Sequence, residues 1–483
     1  MKSYLDLLFN SSAYEKNTPV LINNENSLTP FELELAINRY THTLRSSGVS
    51  KGELVPILLD DNISSIISVI SLWRVGAVPV PLSSKQLNHE LFSKLDFLYT
   101  RFLITDKLID RLNTKSIRTI PVPSKDFNKH ELVDHHSPGE EDTAVIIFTS
   151  GSTTKPKAVQ LSFINLFTGA FASDQLINHT KADKWLASLP FFHIGGFSIL
   201  TRSLIFGIPI IIPEDIDTKS IALCIEKFHP TLISLVAAQL SELLKIDFDF
   251  SSIKNCLIGG GPSSSSLIAE AINKGWKISK VYGSTETSAM VAGFSVNDHP
   301  GKINSSGKIF DEVQIRVVDE SGKQVSKMIE GEVHIKSDSV MKGYLNNPEL
   351  TSQILVDGFY HSGDFGCLDD DGFLFITSRR SDLIVTGGEN VNPEEVENVI
   401  LSNHCVAETS VVGIADEKWG QIVCAAIVRK HSFNLSESEL KDFLREKLTA
   451  FKIPKKFIFL DELPKTPLVK IEKEKIRAMF TVE

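Results

Sequence analysis

Short β-rich runs alternate with helix-like runs along most of this 483-residue chain. The β-rich "TLISLV" is followed by the helix-like "AAQLSELLK", and "NCLIGGG" is followed by "SSSLIAEAINKG" and then by "KISKVYG". Such an alternation predicts parallel sheets covered by helices, in which ligands bind at the carboxyl ends of the strands. We therefore expect an α/β fold with its binding loops at strand ends.

Three polar loops follow such runs, at residues 149–157, 259–262 and 282–287. In the first, hydroxyl side chains, a glycine and two lysines create a concave, positively charged loop that suits a phosphate. The phosphate loop of nucleoside triphosphatases, G-x-x-x-x-G-K-[ST], does not fit, because Pro156 replaces the second glycine and Ala158 follows Lys157. On this loop alone, a polar surface loop that binds nothing also remains open.

From about Val313 the β-rich runs become shorter. Runs such as "QIRVVDESGKQV" and "GEVHIKS" indicate an antiparallel hairpin region. A polar cluster at residues 379–382 then precedes a stretch of α+β character. We predict a large domain at residues 1–379, with helix-covered, largely parallel sheets and a small β-barrel-like part. A small α+β domain is expected at residues 380–483.

Composition excludes several classes of protein. With 50 basic and 60 acidic residues the net charge is −10, which argues against a nucleic-acid-binding surface. The five cysteines show no paired spacing, so neither a disulfide framework nor a cysteine zinc site is expected. The amino terminus lacks the apolar core of a secretion signal, and the longest apolar stretch, residues 63–82, is too polar for a membrane span. We expect a cytoplasmic protein.

Seven motifs occur along the chain in a fixed order: "FTSGSTTKPKAV", "LPFFHIGG", "IGGGP", "VYGSTET", "YHSGD", "SRRSDLIVTGGENVNPEEVE" and "LPKTPLVKI". Their sequences and their order resemble the adenylate-forming superfamily, which includes the acyl-CoA synthetases and other AMP-binding enzymes. The resemblance implies an acid-thiol ligase that uses ATP, Mg²⁺ and coenzyme A. Such an enzyme forms an acyl adenylate and pyrophosphate, and then an acyl-CoA and AMP.

The resemblance also assigns roles to individual residues of the large domain. Glu286 offers a hard oxygen ligand for magnesium, and Thr285 a hydroxyl for the α-phosphate. Without the resemblance, the better interpretation of "VYGSTET" is a strand with an aromatic residue in the core, followed by the capped start of a helix at "STET". The residues assigned to ATP or AMP are Thr149, Ser150, Gly151, Ser152, Thr153, Lys157, Gly259, Gly260, Gly261, Tyr282, Gly283, Asp364 and Arg379.

The carboxyl-terminal domain is expected to be mobile and to carry the lysine that assists adenylate formation. The segment "PKTPLVKI" places that lysine at Lys470, with Val469 where the superfamily usually has glycine. The resemblance puts the hinge at Arg380 and Ser381. It also puts Gly387, Gly388 and Glu389 along the tunnel for the pantetheine arm of CoA.

The acid is inferred less directly. Relatives that activate amino acids place an aspartate near this segment, whereas "LPFFHIGG" shows Phe192 and His193 and contains no acidic residue, so an amino acid is disfavoured. His193 is implied to be catalytic and, with Gly283, to shape the acid pocket and the tunnel. Within the superfamily the chain looks most like the o-succinylbenzoate:CoA ligases of menaquinone biosynthesis. That acid is a dianion, and Arg202 is a candidate for its second carboxylate, although a structural arginine is the simpler reading.

Two alternatives remain open. The chain could be another aryl or medium-chain acyl-CoA synthetase, or a non-catalytic module that binds adenylate. Glu286, Asp364, Arg379 and Lys470 together favour catalysis. The sequence leaves the oligomeric state open, a homodimer or a higher homo-oligomer included.

Overall fold

The computed structural model of the chain describes residues 18–25, 27–86, 88–107, 117–123, 136–149, 157–261, 263–379, 384–386, 389–416, 419–430, 433–448, 450–466 and 471–481. The chain divides into two compact units. Unit 1 comprises Met1–Gln314 and Ile335–Tyr360, and unit 2 comprises Ile315–His334 and His361–Glu483. The boundary predicted between residues 379 and 380 stays a prediction, since residues 380–383 lie outside the described part.

The amino-terminal region alternates strands and helices as expected. Its elements are β1 (Leu21–Ile22), β2 (Ser27–Leu28), α1 (Pro30–Ser46), β3 (Leu54–Leu58), α2 (Asn62–Val75), β4 (Val78–Pro81), α3 (Asn88–Leu98), β5 (Phe102–Thr105) and β6 (Arg118–Ile120). Helix α1 begins with a capping box, in which Thr29 and Glu32 each accept from the other's backbone N–H. Helix α2 ends at Gly76, whose φ of 85° is one that glycine adopts readily.

The central region supplies the predicted strand ends. Its elements are β7 (Thr143–Thr149), β8 (Lys157–Ser162), α4 (Phe163–Ile177), β9 (Trp185–Leu186), α5 (Ile194–Phe206), β10 (Ile210–Ile211), α6 (Thr218–Phe228), β11 (Leu232–Leu235), α7 (Ala237–Leu243), β12 (Asn255–Ile258), α8 (Ser265–Asn273), β13 (Ile278–Tyr282), β14 (Ala292–Ser295) and β15 (Gly307–Ile309). The strands and helices predicted around "TLISLV", "NCLIGGG" and "KISKVYG" are all present.

The remaining elements run to the carboxyl end. They are β16 (Gln314–Val318), β17 (Gly331–Lys336), β18 (Gly343–Tyr344), α9 (Pro348–Ile354), β19 (Leu355–Val356), β20 (Phe359–Leu368), β21 (Phe373–Arg379), β22 (Ile384–Thr386), β23 (Glu389–Val391), α10 (Pro393–Leu401), β24 (Val406–Asp416), β25 (Gly420–Arg429), α11 (Glu437–Arg445), β26 (Lys456–Leu460) and α12 (Lys473–Thr481).

Two parallel sheets form much of unit 1. In the larger, β1, β10, β9, β11, β12 and β13 run parallel in that order, and the antiparallel strands β14 and β15 follow β13. In the smaller, β4, β3, β5 and β6 are parallel. The predicted α/β class with largely parallel sheets is therefore confirmed.

One expectation needs correction. The loop at residues 149–157 was expected at the end of a parallel strand, but β7 pairs antiparallel with β8, and β8 in turn with β18. The physical reason is the length of the connection. A parallel pairing needs a crossover of a dozen or more residues, and only residues 150–156 separate β7 from β8.

Unit 2 contains most of the strands of the carboxyl-terminal part. Strands β16, β17, β20 and β21 are neighbours in that order. The chain after β16 turns back on itself, with Val325 N–H donating to Val317 O, as the hairpin prediction requires. Strands β24 and β25 form a long antiparallel pair, and α10 and α11 pack with them around a second apolar core. Among the described helices, none combines the length and the apolar character that crossing a membrane would require.

Candidate active site

Two of the predicted loops meet at one edge of the larger parallel sheet. Gly259, Gly260 and Gly261 follow β12, and Gly283 follows β13, which is parallel to β12. A Cβ atom on Gly259 would lie 2.6 Å from Cγ2 of Val281, so a side chain there would separate the two strands. Gly260 has a φ of 78° and is exposed. This edge thus offers an open backbone surface beside Tyr282 that a flat base can approach.

The turn after β13 is tightly held. Ser284 N–H donates to Thr287 Oγ1 at 2.9 Å across the short 3₁₀ turn that contains Thr285 and Glu286. Immediately afterwards Ser288 and Ala289 adopt φ values of 54° and 92°. Such conformations are strained for residues other than glycine, and they persist where the surrounding contacts impose them. The turn is therefore a preformed feature, and it fixes where Glu286 points.

Glu286 is 8% exposed. Its Oε1 accepts a hydrogen bond of 2.8 Å from the hydroxyl of Tyr344, and its backbone oxygen accepts one of 2.8 Å from Met341 N–H. Within the described part of the chain, no basic side chain forms an ion pair with this carboxylate. A buried carboxylate without a cation is costly, and a divalent ion with a preference for oxygen ligands would offset that cost. Glu286 therefore fits the magnesium ligand that the sequence predicts.

Tyr344 is a residue that the sequence analysis missed. It lies in β18, opposite Val159 of β8, so the strand that begins at Lys157 is tied to the Glu286 turn. Lys157 Nζ lies 6.0 Å from the centre of the Tyr344 ring. The sequence shows an aromatic residue in the polar stretch "MKGYLNNPE". Nothing in that stretch indicates that its partner, Glu286, lies 58 residues away.

The hairpin of β7 and β8 carries the predicted phosphate loop. Thr149 and Lys157 are paired across the stem, and the hydroxyl of Thr149 donates to the carbonyl of Lys157 at 3.5 Å. Ser150, Gly151, Ser152 and Thr153 lie outside the described residues. The described stem thus brings Lys157 to the side of the molecule where Tyr344 and Glu286 lie.

His193 and Arg202 occupy one helix but different surroundings. His193 is the residue before α5, and its ring centre is 4.6 Å from that of Phe192. Arg202 is the ninth residue of α5, about 13.5 Å from His193 along the helix axis. It is 1% exposed, its guanidinium carbon lies 5.3 Å from the centre of the Trp185 ring, and its Nε and Nη2 atoms make no hydrogen bond to the described residues. Burial lowers the pKa of Arg202 to about 9.

In unit 2, the two residues predicted to hold a ribose face each other across a strand pair. Asp364 of β20 is directly opposite Arg379 of β21. The backbone N–H of Asp364 donates to Ser362 Oγ at 3.0 Å, which orders the strand at that point. The backbone of Arg379 is described, whereas its side chain lies outside the described part.

The other predicted residues of unit 2 are described only in part. Arg380, Ser381, Gly387, Gly388 and Lys470 lie outside the described residues, and Glu389 is described only as the first residue of β23. An antiparallel bridge between Lys465 and Ile471 closes the segment that contains Lys470. Their roles stay predictions.

Comparison with known proteins finds two family models that match this chain. The family model for the AMP-binding enzyme matches residues 8–345, and the model for the AMP-binding enzyme C-terminal domain matches residues 395–470. A 2-succinylbenzoate–CoA ligase of Bacillus cereus is 33% identical over 458 residues, which are 94% of each chain. Its counterpart from a Geobacillus species is 34% identical over 94% of this chain and 92% of its own.

Solved structures agree with the sequence relatives. The o-succinylbenzoate CoA synthetase of Bacillus subtilis, in complex with the acyl-adenylate intermediate, superimposes with a TM-score of 0.90 at 32% identity, covering 99% of this chain and 98% of that chain. The same synthetase in complex with ATP and a magnesium ion gives a TM-score of 0.88 at 31% identity, with 99% of both chains covered. The amide bond synthetase of Marinactinospora thermotolerans, at 23% identity and a TM-score of 0.88, shares the fold.

Proposed function

This chain belongs to the AMP-binding enzyme family, and we propose that it is an ATP-dependent o-succinylbenzoate:CoA ligase acting in menaquinone biosynthesis. The observation that carries the proposal is the relationship to 2-succinylbenzoate–CoA ligases over nearly the full length of both chains. The buried Glu286 carboxylate at the edge of the parallel sheet supplies the matching chemistry.

The reaction has two steps. In the first, a carboxylate oxygen of the acid attacks the α-phosphorus of ATP, the bond from that phosphorus to the bridging oxygen breaks, and pyrophosphate leaves with the electron pair. In the second, the thiol of CoA loses its proton to solvent and its sulfur attacks the acyl carbon. The bond from that carbon to the phosphate oxygen then breaks, and AMP leaves with the electron pair. Two anions must meet in the first step, so the protein has to neutralise charge and align the attack.

The described residues suggest how unit 1 meets that requirement. Glu286, oriented by Tyr344, would hold Mg²⁺, which supplies positive charge to the phosphates when it is bound. Lys157 and the hydroxyls of residues 149–153 would bind the phosphates, and Thr285 the α-phosphate. The glycines after β12 and the ring of Tyr282 would enclose the adenine.

The residues of unit 2 take roles in both steps. Asp364 would accept hydrogen bonds from the ribose hydroxyls, and Arg379, opposite it on β21, would add a cation to the same sugar. Lys470 would neutralise charge during adenylate formation only. Residues 387–389 would then line the path of the thiol, after a movement about Arg380 and Ser381.

The acid pocket is assigned to His193, Gly283 and Arg202. A fully buried guanidinium with two nitrogen atoms unbonded among the described residues is costly, and the second carboxylate of the acid would offset part of that cost. We place the reaction in the cytoplasm, where ATP and CoA are available, and we propose a homo-oligomer without assigning its size.

The test is a panel of acids assayed by pyrophosphate release and by loss of the CoA thiol. We expect o-succinylbenzoate to exceed benzoate and octanoate by at least about tenfold in kcat/KM. In Arg202→Met that preference should fall, with the use of benzoate unchanged, because benzoate has no second carboxylate.

Other outcomes separate the alternatives. Better use of benzoate or octanoate would reject the acid assignment and leave the family membership intact. An equal loss with both acids in Arg202→Met would mean that this arginine is structural. If no acid supports exchange of pyrophosphate into ATP, the chain is an adenylate-binding module and not a ligase.

A further inference from the structure

A cluster of three potential metal ligands lies in unit 2, outside the site described above. Glu332 and His334 are on β17, and His361 is on the neighbouring strand β20. Residues two apart on a strand share a face, so Glu332 and His334 point the same way. One ligand atom from each of the three residues lies within 4.8 Å of the others.

The two histidine rings are stacked across the strands. Their centres are 3.6 Å apart and their planes differ by 10°. Two imidazolium charges at that separation would repel strongly, so this arrangement disfavours a pair in which both rings are cationic. Neutral imidazole is the form that binds metal ions.

Packing alone leaves part of this cluster unexplained. The side chain of His334 is 5% exposed, and its Nε2 atom is buried without a hydrogen bond to the described residues. Glu332 Oε2 is 3.6 Å from Nε2, which is too long for a hydrogen bond. Buried polar atoms are normally satisfied, and an ion bound at His334 Nε2 would satisfy this one.

We propose that Glu332, His334 and His361 bind one divalent transition-metal ion, with a preference for Zn²⁺. None of these residues belongs to the proposed magnesium site at Glu286. Two imidazole nitrogens and one carboxylate oxygen are a donor set that zinc and its first-row neighbours accept, whereas Mg²⁺ prefers oxygen alone. Bonds of about 2.1 Å would draw the ligand atoms closer than they lie here, so the rings must tilt out of their stack on binding.

One neighbouring group opposes the ion. Arg316 Nε, on β16, donates to His334 Nδ1 at 3.4 Å. This contact keeps the proton of the neutral ring on Nε2, the atom that faces Glu332, and the guanidinium repels a second cation. Metal binding at Nε2 therefore requires the ring proton to move to Nδ1, which breaks the hydrogen bond from Arg316. Removal of Arg316 should therefore strengthen metal binding, whereas removal of a ligand should weaken it.

The test uses the full chain after treatment with a chelator, titrated with Zn²⁺ by calorimetry and with Co²⁺ by visible absorption. We expect one saturable site in which Co²⁺ shows the absorption of a nitrogen- and oxygen-ligated ion. Glu332→Gln and His361→Gln should each weaken the Kd by about tenfold or more, and Arg316→Gln should tighten it. These variants are to be melted without metal first, so that a folding defect is recognised.

The matched control is His404→Gln, because His404 lies beside a thiol, with its Nε2 3.3 Å from Cys405 Sγ. That change should leave the Zn²⁺ affinity unaltered. The proposal is wrong if no saturable binding occurs, or if both cluster variants bind as the parent does. It is also wrong if the loss follows His404, which would identify the Cys405 region as the binding site.

Discussion

The carboxylate of Glu286 is held from two directions, by the hydroxyl of Tyr344 and, through its own backbone oxygen, by Met341 N–H. Since Oε1 accepts from Tyr344, the hydrogen bond fixes the plane of the carboxylate before any ion arrives. Such outer partners of a metal ligand typically contribute about 10- to 100-fold to affinity or activity. Tyr344 is thus a positioning residue in the proposed reaction.

We predict that Tyr344→Phe raises the Mg²⁺ concentration needed for half-maximal adenylate formation by about tenfold or more. Glu286→Gln, which is nearly isosteric but uncharged, should lower turnover by orders of magnitude without unfolding the chain. The measurement is pyrophosphate release at a series of Mg²⁺ concentrations, with thermal unfolding of each variant.

Tyr40→Phe provides the control, because the side chain of Tyr40, on helix α1, is also buried and its hydroxyl donates to Pro121 O, just after β6, at 2.9 Å. Loss of that hydrogen bond should lower the free energy of unfolding by about 1 kcal/mol and leave the Mg²⁺ dependence unchanged. If Tyr344→Phe behaves in the same way, its hydrogen bond only stabilises the fold. Normal activity of Glu286→Gln would mean that Glu286 does not bind magnesium and only forms part of the turn.

At the scale of elements, the end of β13 shows how a strand and the turn after it constrain each other. A Cβ atom on Gly283 would lie 2.2 Å from Ala289 O and 2.6 Å from Met290 Cα, both backbone atoms that cannot rotate away. A Cβ atom on Gly261, after the parallel strand β12, meets nothing within 4 Å. Packing therefore requires glycine at position 283 and leaves room for a side chain at position 261.

We predict that Gly283→Ala lowers the apparent free energy of unfolding by about 1 to 3 kcal/mol, because the turn after β13 must move. Gly261→Ala should change it by less than about 0.5 kcal/mol and instead raise the KM for ATP, if adenine approaches this backbone. Urea unfolding and ATP kinetics measure the two effects. A neutral Gly283→Ala, or a destabilising Gly261→Ala, would contradict the packing described here.

At the scale of the whole molecule, the proposed roles divide between the two half-reactions. Lys470 should matter where the charge of ATP is neutralised, and little where a thioester forms from existing adenylate. Loss of one preorganised cation typically lowers a rate by about a hundredfold to a thousandfold. Lys470→Ala should therefore nearly abolish adenylate formation, and should keep thioester formation from synthetic acyl adenylate within about tenfold of the parent rate.

Rapid quench of each half-reaction separates the two effects. Lys465→Ala is the control, since Lys465 lies in the same segment but pairs with Glu408, at 2.6 Å, and should retain both half-reactions. An equal fall of both half-reactions in a folded Lys470→Ala would mean that Lys470 is not the adenylation lysine. In that case the match of "PKTPLVKI" to the superfamily motif, in which Val469 replaces glycine, is wrong.

The sequence by itself determined the α/β class, the order of the motifs and the family. These follow from local information, because strand and helix periodicity, capping residues and glycine loops extend over only a few residues. The loops after β12 and β13 were predictable for this reason, since each follows a recognisable apolar run. The chemistry expected of Glu286 came from its motif.

Tertiary structure alone decided which distant residues meet. The antiparallel pairing of β7 with β8 was missed because an apolar run looks the same in a parallel and in an antiparallel sheet. Tyr344 and Glu286, and His334 and His361, lie far apart in sequence, and their contacts depend on strand order and register. Local propensity does not determine strand order or register, so these contacts can be identified only from the paired and packed strands.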